Sequence, residues 1–183
     1  MVPLQVVFAL IVGIWGLIGL VRGFSKEAGA TLAIVLGMEF LNLFGAKFID
    51  GINRAAKIGI RGQAQAIVIP AEGTTTFWFY VIVFVLVSLM GYQGETLGLS
   101  GNVGRLKENV LGILIGLING YLVAGNLWYF LDKFAKYNVP GLGIQPPTTA
   151  AAQQIIHFLP YNLLREPMLM GLLLLFLVLR IAK

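Results

Sequence analysis

The chain has 183 residues, 58% of them hydrophobic and only 11% charged, with a mean hydropathy of +0.86. About a quarter of the residues in an ordinary soluble domain are charged, so the composition excludes such a domain and makes a bilayer the solvent. The net charge of +5 comes from basic residues scattered through membrane-flanking stretches without interleaved aromatics, which argues against a nucleic-acid partner, and the lack of cysteine removes disulfides and thiolate chemistry.

Met1 opens directly into an apolar run with no basic region or small-residue cleavage site, so the first segment reads as a retained span. Pro3 to Val21 has Gln5 as its one strongly polar side chain and is long enough to cross the hydrocarbon core. The next residues, Arg22-Gly23-Phe24-Ser25-Lys26-Glu27, predict a tight reversal with its cations at lipid phosphate. The second span, Ala28 to about Ala46, is then expected antiparallel to the first and packed on it. Both carry small faces: Ala9 with Gly13 and Gly19 with Gly23, facing Gly29, Ala33, Gly37 and Gly45.

Glu39 is the acid expected at membrane depth, and an intramembrane carboxylate is a functional candidate by default. With Asn42 one turn on, it would form a proton or cation ligand. The bland alternative puts it at the headgroups, pairing with Lys47 and Arg54. From Lys47 to Thr76 the apolar spacing of Phe48, Ile49, Ile52, Ala55, Ala56 and Ile60, with Lys47, Arg54, Lys57 and Arg61, reads either as an interfacial helix or as a solvated loop. The third span, Phe77 to about Met90, is bulky and starts with Phe77, Trp78, Phe79 and Tyr80, an aromatic belt rather than a stacking cluster.

Gly98 to Glu108 is glycine-rich but lacks the spacing of a nucleotide-phosphate loop, so a lipid-phosphate contact is the expectation. In the fourth span, Val110 to Phe130, Gly112, Gly116, Gly120 and Ala124 recur every four residues and form a seam that admits another helix backbone. Asn119 and Asn126 are expected to hydrogen-bond across that seam, and Trp128 and Tyr129 to mark the far interface. A Pro- and Gly-rich loop follows, then a short amphipathic surface helix capped by Thr148 or Thr149 and stopped by Pro160. His157 within it has no neighbouring acid, which disfavours a metal or catalytic role. A fifth span is expected from Pro167, with Arg180 and Lys183 snorkelling.

Arg22-Gly23 with Lys26-Glu27, Gly98-Leu99-Ser100-Gly101 with Arg105, and the glycine-lined helix from Gly112 to Gly120 together resemble the CvpA (colicin V production protein) family of bacterial inner-membrane proteins. The resemblance covers roughly residues 1 to 160. It implies a four-helix membrane protein linked to toxin production or export and to envelope stress tolerance. It also implies that Arg22, Gly23, Glu27, Gly98, Gly101, Arg105, Gly112 and Gly120 are structural joints of the hairpins. The chain departs from the family in adding the fifth segment, so it divides into a CvpA-like region, 1–165, and an extra C-terminal span, 166–183. It also lacks the trypsin-like protease that some relatives carry.

The fold class expected is thus all-α and polytopic, with four core spans, a fifth span and short interfacial helices. Arg22 and Lys26 after the first span put the N-terminus outside and the C-terminus in the cytoplasm. No catalytic set, cofactor or metal site is expected, since the chain has one histidine and no paired carboxylates. Two functions compete. One is a scaffold or accessory subunit that meets lipids, other membrane subunits or its own copies. The other is a small transporter using Glu39, Asn42, Asn119 and Asn126 as a polar site.

Overall fold

The structure, a computed structural model, describes residues 3–59, 68–93, 105–164, 168–171 and 174. Gly98, Gly101 and most of the expected fifth span lie outside the described residues. Those described are helical, without a strand. Four helices are long and apolar enough to cross a membrane: α1 (Leu4–Arg22), α2 (Phe24–Gly59), α3 (Thr74–Gln93) and α4 (Arg105–Phe130), the last prolonged by a π-helical turn, Leu131–Ala135. Two short helices follow, α5 (Ala150–His157) and α6 (Pro160–Leu163).

The reversal between α1 and α2 takes a single residue. Gly23 sits at φ +81°, a left-handed conformation that favours glycine, and its N–H closes α1 by bonding the Gly19 carbonyl at 2.9 Å. A side chain there would also meet Glu108 Cγ at 3.2 Å. The four spans run up and down: Gly19 meets Gly112 at one end, while Gly73 at the start of α3 donates to the Phe134 carbonyl at the other, 2.7 Å away. Leu4 and the segment after Ala135 therefore share one end of the bundle, and Arg22, Tyr92 and Glu108 share the opposite end.

α4 lies between α1 and α2, and α3 packs mainly on α2 while also meeting the end of α4 and its π-helical turn. This corrects the expected pairing of α1 with α2, which touch little despite their one-residue connection. The reason is how closely the backbones can approach. A Cβ on Gly116 would stand 3.0 Å from Gly19 Cα and 3.2 Å from Gly16 Cα, and one on Gly120 would stand 2.8 Å from Val12 Cα. Gly112 and Gly19 press on each other's carbonyls in the same way. The small face of α2 is taken by α3 instead. Gly37 receives Val87 and Phe84, and Gly45 receives the Tyr80 ring, whose Cζ would lie 2.7 Å from an added Cβ. Bulky α3 thus fills grooves that glycines open, whereas α1 and α4 meet backbone to backbone.

Phe84, Phe130, Ile34, Met38 and Leu41 fill the space among α2, α3 and α4, and Tyr80 stacks on Phe134 with ring centroids 4.2 Å apart. α2 continues without a break to Gly59, where a separate interfacial helix or loop was the expectation. Gly51 is tolerated in mid-helix, and the apolar spacing through Ile49, Ile52 and Ala56 keeps the same period. At 1.5 Å per residue its 36 residues reach about 54 Å, well beyond a hydrocarbon core of about 30 Å. Asn53 pins the returning chain by pairing both Ile69 backbone groups, N–H and C=O, at 2.8 Å each.

Beyond α4 the chain turns through two left-handed residues, Lys136 at φ 48° and Tyr137 at φ 63°. The Tyr137 hydroxyl accepts from Trp128 Nε1 at 3.1 Å, and burial, followed by the charge of Asp132, pushes this phenol well above its usual range. Thr149 caps α5 by accepting from the Ala152 N–H at 3.2 Å. Pro160 opens α6 against Gly125 of α4, Tyr121 donates to the Phe158 carbonyl, and Tyr161 stacks on Tyr129 at 4.3 Å. His157 is exposed.

Gly116→Leu forces four side-chain carbons into a backbone contact, and is expected to cost about 1–3 kcal/mol or more and to release α1 from α4. Gly13→Leu, on the open face of α1 where nothing lies within 4 Å, should leave stability unchanged. Unfolding in mixed micelles followed by circular dichroism compares the two; equal behaviour would remove the seam as the main contact.

Candidate functional site

Glu27 stands in the first turn of α2 and Arg22 in the last turn of α1, where each charge suits the helix dipole beside it. Gly23 between them brings the two together: Arg22 Nε lies 2.9 Å from Glu27 Oε1. Glu27 is fully buried, and the Arg22 side chain is 23% exposed. A carboxylate taken out of water in this way needs partners for all its lone pairs.

The other spans supply them. Asn119 of α4 donates its Nδ2 to Glu27 Oε2 at 2.8 Å and to the Glu27 carbonyl at 3.0 Å. Tyr92, at the end of α3, places its hydroxyl 3.3 Å from the same Oε2. Thr31, one turn after Glu27, lies 2.7 Å from Asn119 Oδ1 and 2.9 Å from the Glu27 carbonyl. Arg22 closes the circuit, donating Nη1 to the Tyr92 carbonyl at 3.1 Å and lying 4.6 Å over the Tyr92 ring. Trp15 of α1, its indole nitrogen buried, interacts with the Tyr92 hydroxyl. Six side chains from four spans thus converge at one end of the bundle.

Chemically this is a clasp. Glu27 is engaged through both oxygens, and Asn119 uses its amide and its carbonyl. Oε1 is held by the ion pair with Arg22 and Oε2 by hydrogen bonds from Asn119 and Tyr92. What the arrangement does is fix the relative heights of α1, α2, α3 and α4, because a one-residue slip of any of them would strand a buried polar group.

The remaining candidates take other partners. Gly29 is buried, and Gly37 faces Val87. Asn42 Oδ1 accepts from the Tyr161 hydroxyl at 3.1 Å, so its amide is turned to α6. Glu39 is buried at 4% exposure, three turns along α2 from Glu27. Asn126 donates to the Leu122 carbonyl of its own helix at 2.6 Å, whereas Asn119 bonds another helix as expected, though that helix is α2 and not the one that fills the glycine seam. The seam leaves no room for such side chains; they leave α4 on the face toward α2. Arg105 begins α4.

Sequence reasoning had marked Arg22, Glu27 and Asn119 separately and missed Thr31 and Tyr92. Thr31 follows Glu27 by four residues, a helical neighbour that could have been read as its partner. Tyr92 carries no such signal, because it lies beyond the apolar run that defined the third span.

Arg22→Ala is expected to destabilise the protein by about 3–5 kcal/mol, since it leaves the fully buried Glu27 without its counter-charge. Replacing both by methionine should recover most of that loss. A double-mutant cycle on unfolding in mixed micelles checks this, and additive losses would mean that the two residues do not act together.

No curated protein and no solved structure matches the chain. A family model does, that of the colicin V production protein, over residues 4–150, which take in all four spans and every residue of the clasp. By that match and by its four apolar helices the chain is a multi-pass membrane protein, a member of the colicin V production protein family.

Proposed function

We propose that the protein is a non-enzymatic scaffold or accessory subunit of the bacterial inner membrane, serving colicin V production and envelope homeostasis by holding partner membrane proteins. One observation carries the reading: the clasp spends its polar groups on one another, which suits a frame and not a passage. Much of the surface left over is apolar, with Leu10 and Leu17 on α1 and Ile82 and Leu86 on α3 exposed. Such faces suit lipid, a partner's helices or a second copy.

The transporter reading rests on Glu39, buried in the bundle. The two readings part on Glu39→Gln. At matched protein abundance this variant should support colicin V production like the parent chain, while Leu86→Trp, on the outer face of α3, should lower it several-fold. Loss of production in Glu39→Gln at normal abundance would reverse the assignment.

Counted over four spans, the described residues at the end with Leu4 include Lys47, Arg54, Lys57, Lys133 and Lys136, against Arg22, Lys26, Arg105 and Lys107 at the other. The positive-inside rule then favours a cytoplasmic N-terminus, the reverse of the orientation read from the first turn alone. Because the chain has no cysteine, single cysteines at Ser25 and Lys136 report this directly. An impermeant maleimide applied to intact spheroplasts should label position 25 and spare 136; the opposite pattern would restore the first orientation.

A further inference from the structure

Past Gly120, α1 and α4 part. Ala124 is the next small residue on the stripe, but beyond it Leu127, Trp128 and Leu131 face α1, and Phe8 meets the Trp128 ring edge-on at 5.6 Å. The side chains hold the helices apart where the glycines had let them touch. The gap becomes a groove of about 210 Å³ between α1 and α3, with α4 as its floor and Ile144 of the following loop at its end.

We propose that this groove holds one acyl chain of a membrane phospholipid. Its lining is apolar, and the one polar group at its floor, the Trp128 N–H, is already bonded to Tyr137. A polar solute would give up its hydration there and receive nothing in return, whereas a hydrocarbon chain loses nothing. The walls are membrane spans whose outer residues, Val7 and Trp78, are exposed, so the groove is continuous with the surface that the acyl chains of the bilayer already wet.

Size and depth agree. From Leu4 to Ile11 the groove runs about 10 Å along α1, beginning at the N-terminal end of that span. Taking about 30 Å³ for each small liquid-packed unit, the volume accepts about seven methylene-sized units, the half of a chain nearest its headgroup. This inference stands apart from the scaffold reading, since it depends on the divergence of α1 from α4 and not on any partner.

The test uses the full chain in vesicles of phosphatidylethanolamine and phosphatidylglycerol containing a phosphatidylglycerol with a photoreactive diazirine in one acyl chain. Labelled residues are mapped by mass spectrometry. Phe8, Val81 and Leu127 should be labelled at least five-fold more than Leu17 on the outer face of α1. Ala124→Phe, which fills the floor, should abolish that excess and leave Leu17 unchanged. Val81→Trp fills the same space from α3 and should do likewise, which guards against a fold defect in the first variant. Equal labelling of groove and outer face overturns the proposal. So does groove labelling that survives in either monodisperse variant.

Discussion

The structure depends on the backbone contact between α1 and α4. In lipid the hydrophobic effect does not pull apolar helices together, because the hydrocarbon is as good a neighbour as leucine. What remains is dispersion and carbonyl contact at close range, and both need the absence of side chains. Gly16 and Gly19 on one helix and Gly112, Gly116 and Gly120 on the other supply that absence over about two turns. Because α1 is attached to the bundle mainly there, its remaining surface stays exposed.

A seam of glycines is close but not selective, since a shift by one small residue would bring other glycines into register. The clasp at the same end supplies the selection. Arg22 leaves α1 three residues after Gly19, and Asn119 lies between Gly116 and Gly120 along α4, on another face. With Glu27 seated on both, only one register satisfies the buried carboxylate. Dispersion therefore holds α1 and α4 together, and hydrogen bonding decides where along each other they stand.

How much of this was legible in the sequence follows from the range of each signal. The four spans are a matter of local composition, and the fourfold glycines of α4 announce a close contact whatever the partner. Which helix fills it is not local. α1 and α2 both offered small faces and were joined by a short turn, so pairing by proximity favoured them. It fails because Gly37 and Gly45 are matched instead to Phe84, Val87 and Tyr80, a complementarity of shapes far apart in the chain. The site divides in the same way. Arg22 and Glu27 stand out as charges at span ends and Asn119 as an amide in an apolar run, but their convergence with Thr31 and Tyr92 depends on four helices coming together. The length of α2 escapes the sequence for another reason: charges from Lys47 and Arg54 onward read as the end of a span, though charge ends a span's burial in lipid without ending its helix.

That last distinction bears on what α2 does. Its first half, from Glu27 to Gly45, is committed inward, to Asn119, to the core and to α3. Its second half runs past the level at which α3 starts and carries Phe44, Phe48 and Ile52 exposed on one side. The Phe40 ring contacts those of Phe44 at 5.5 Å and Phe48 at 5.7 Å, a ridge that begins within the span and continues toward the surface. Lys47 lies 5.5 Å over the Phe44 ring, so a cation shields part of that ridge where it nears water. Asn53, by holding Ile69, keeps the returning chain against this extension and prevents it from swinging as a free arm. The helix is thus held by a buried clasp near its start and by a paired backbone at Asn53 near its end. Under the proposed scaffold reading such bracing would matter, because partners can take their positions from a surface only if that surface does not move.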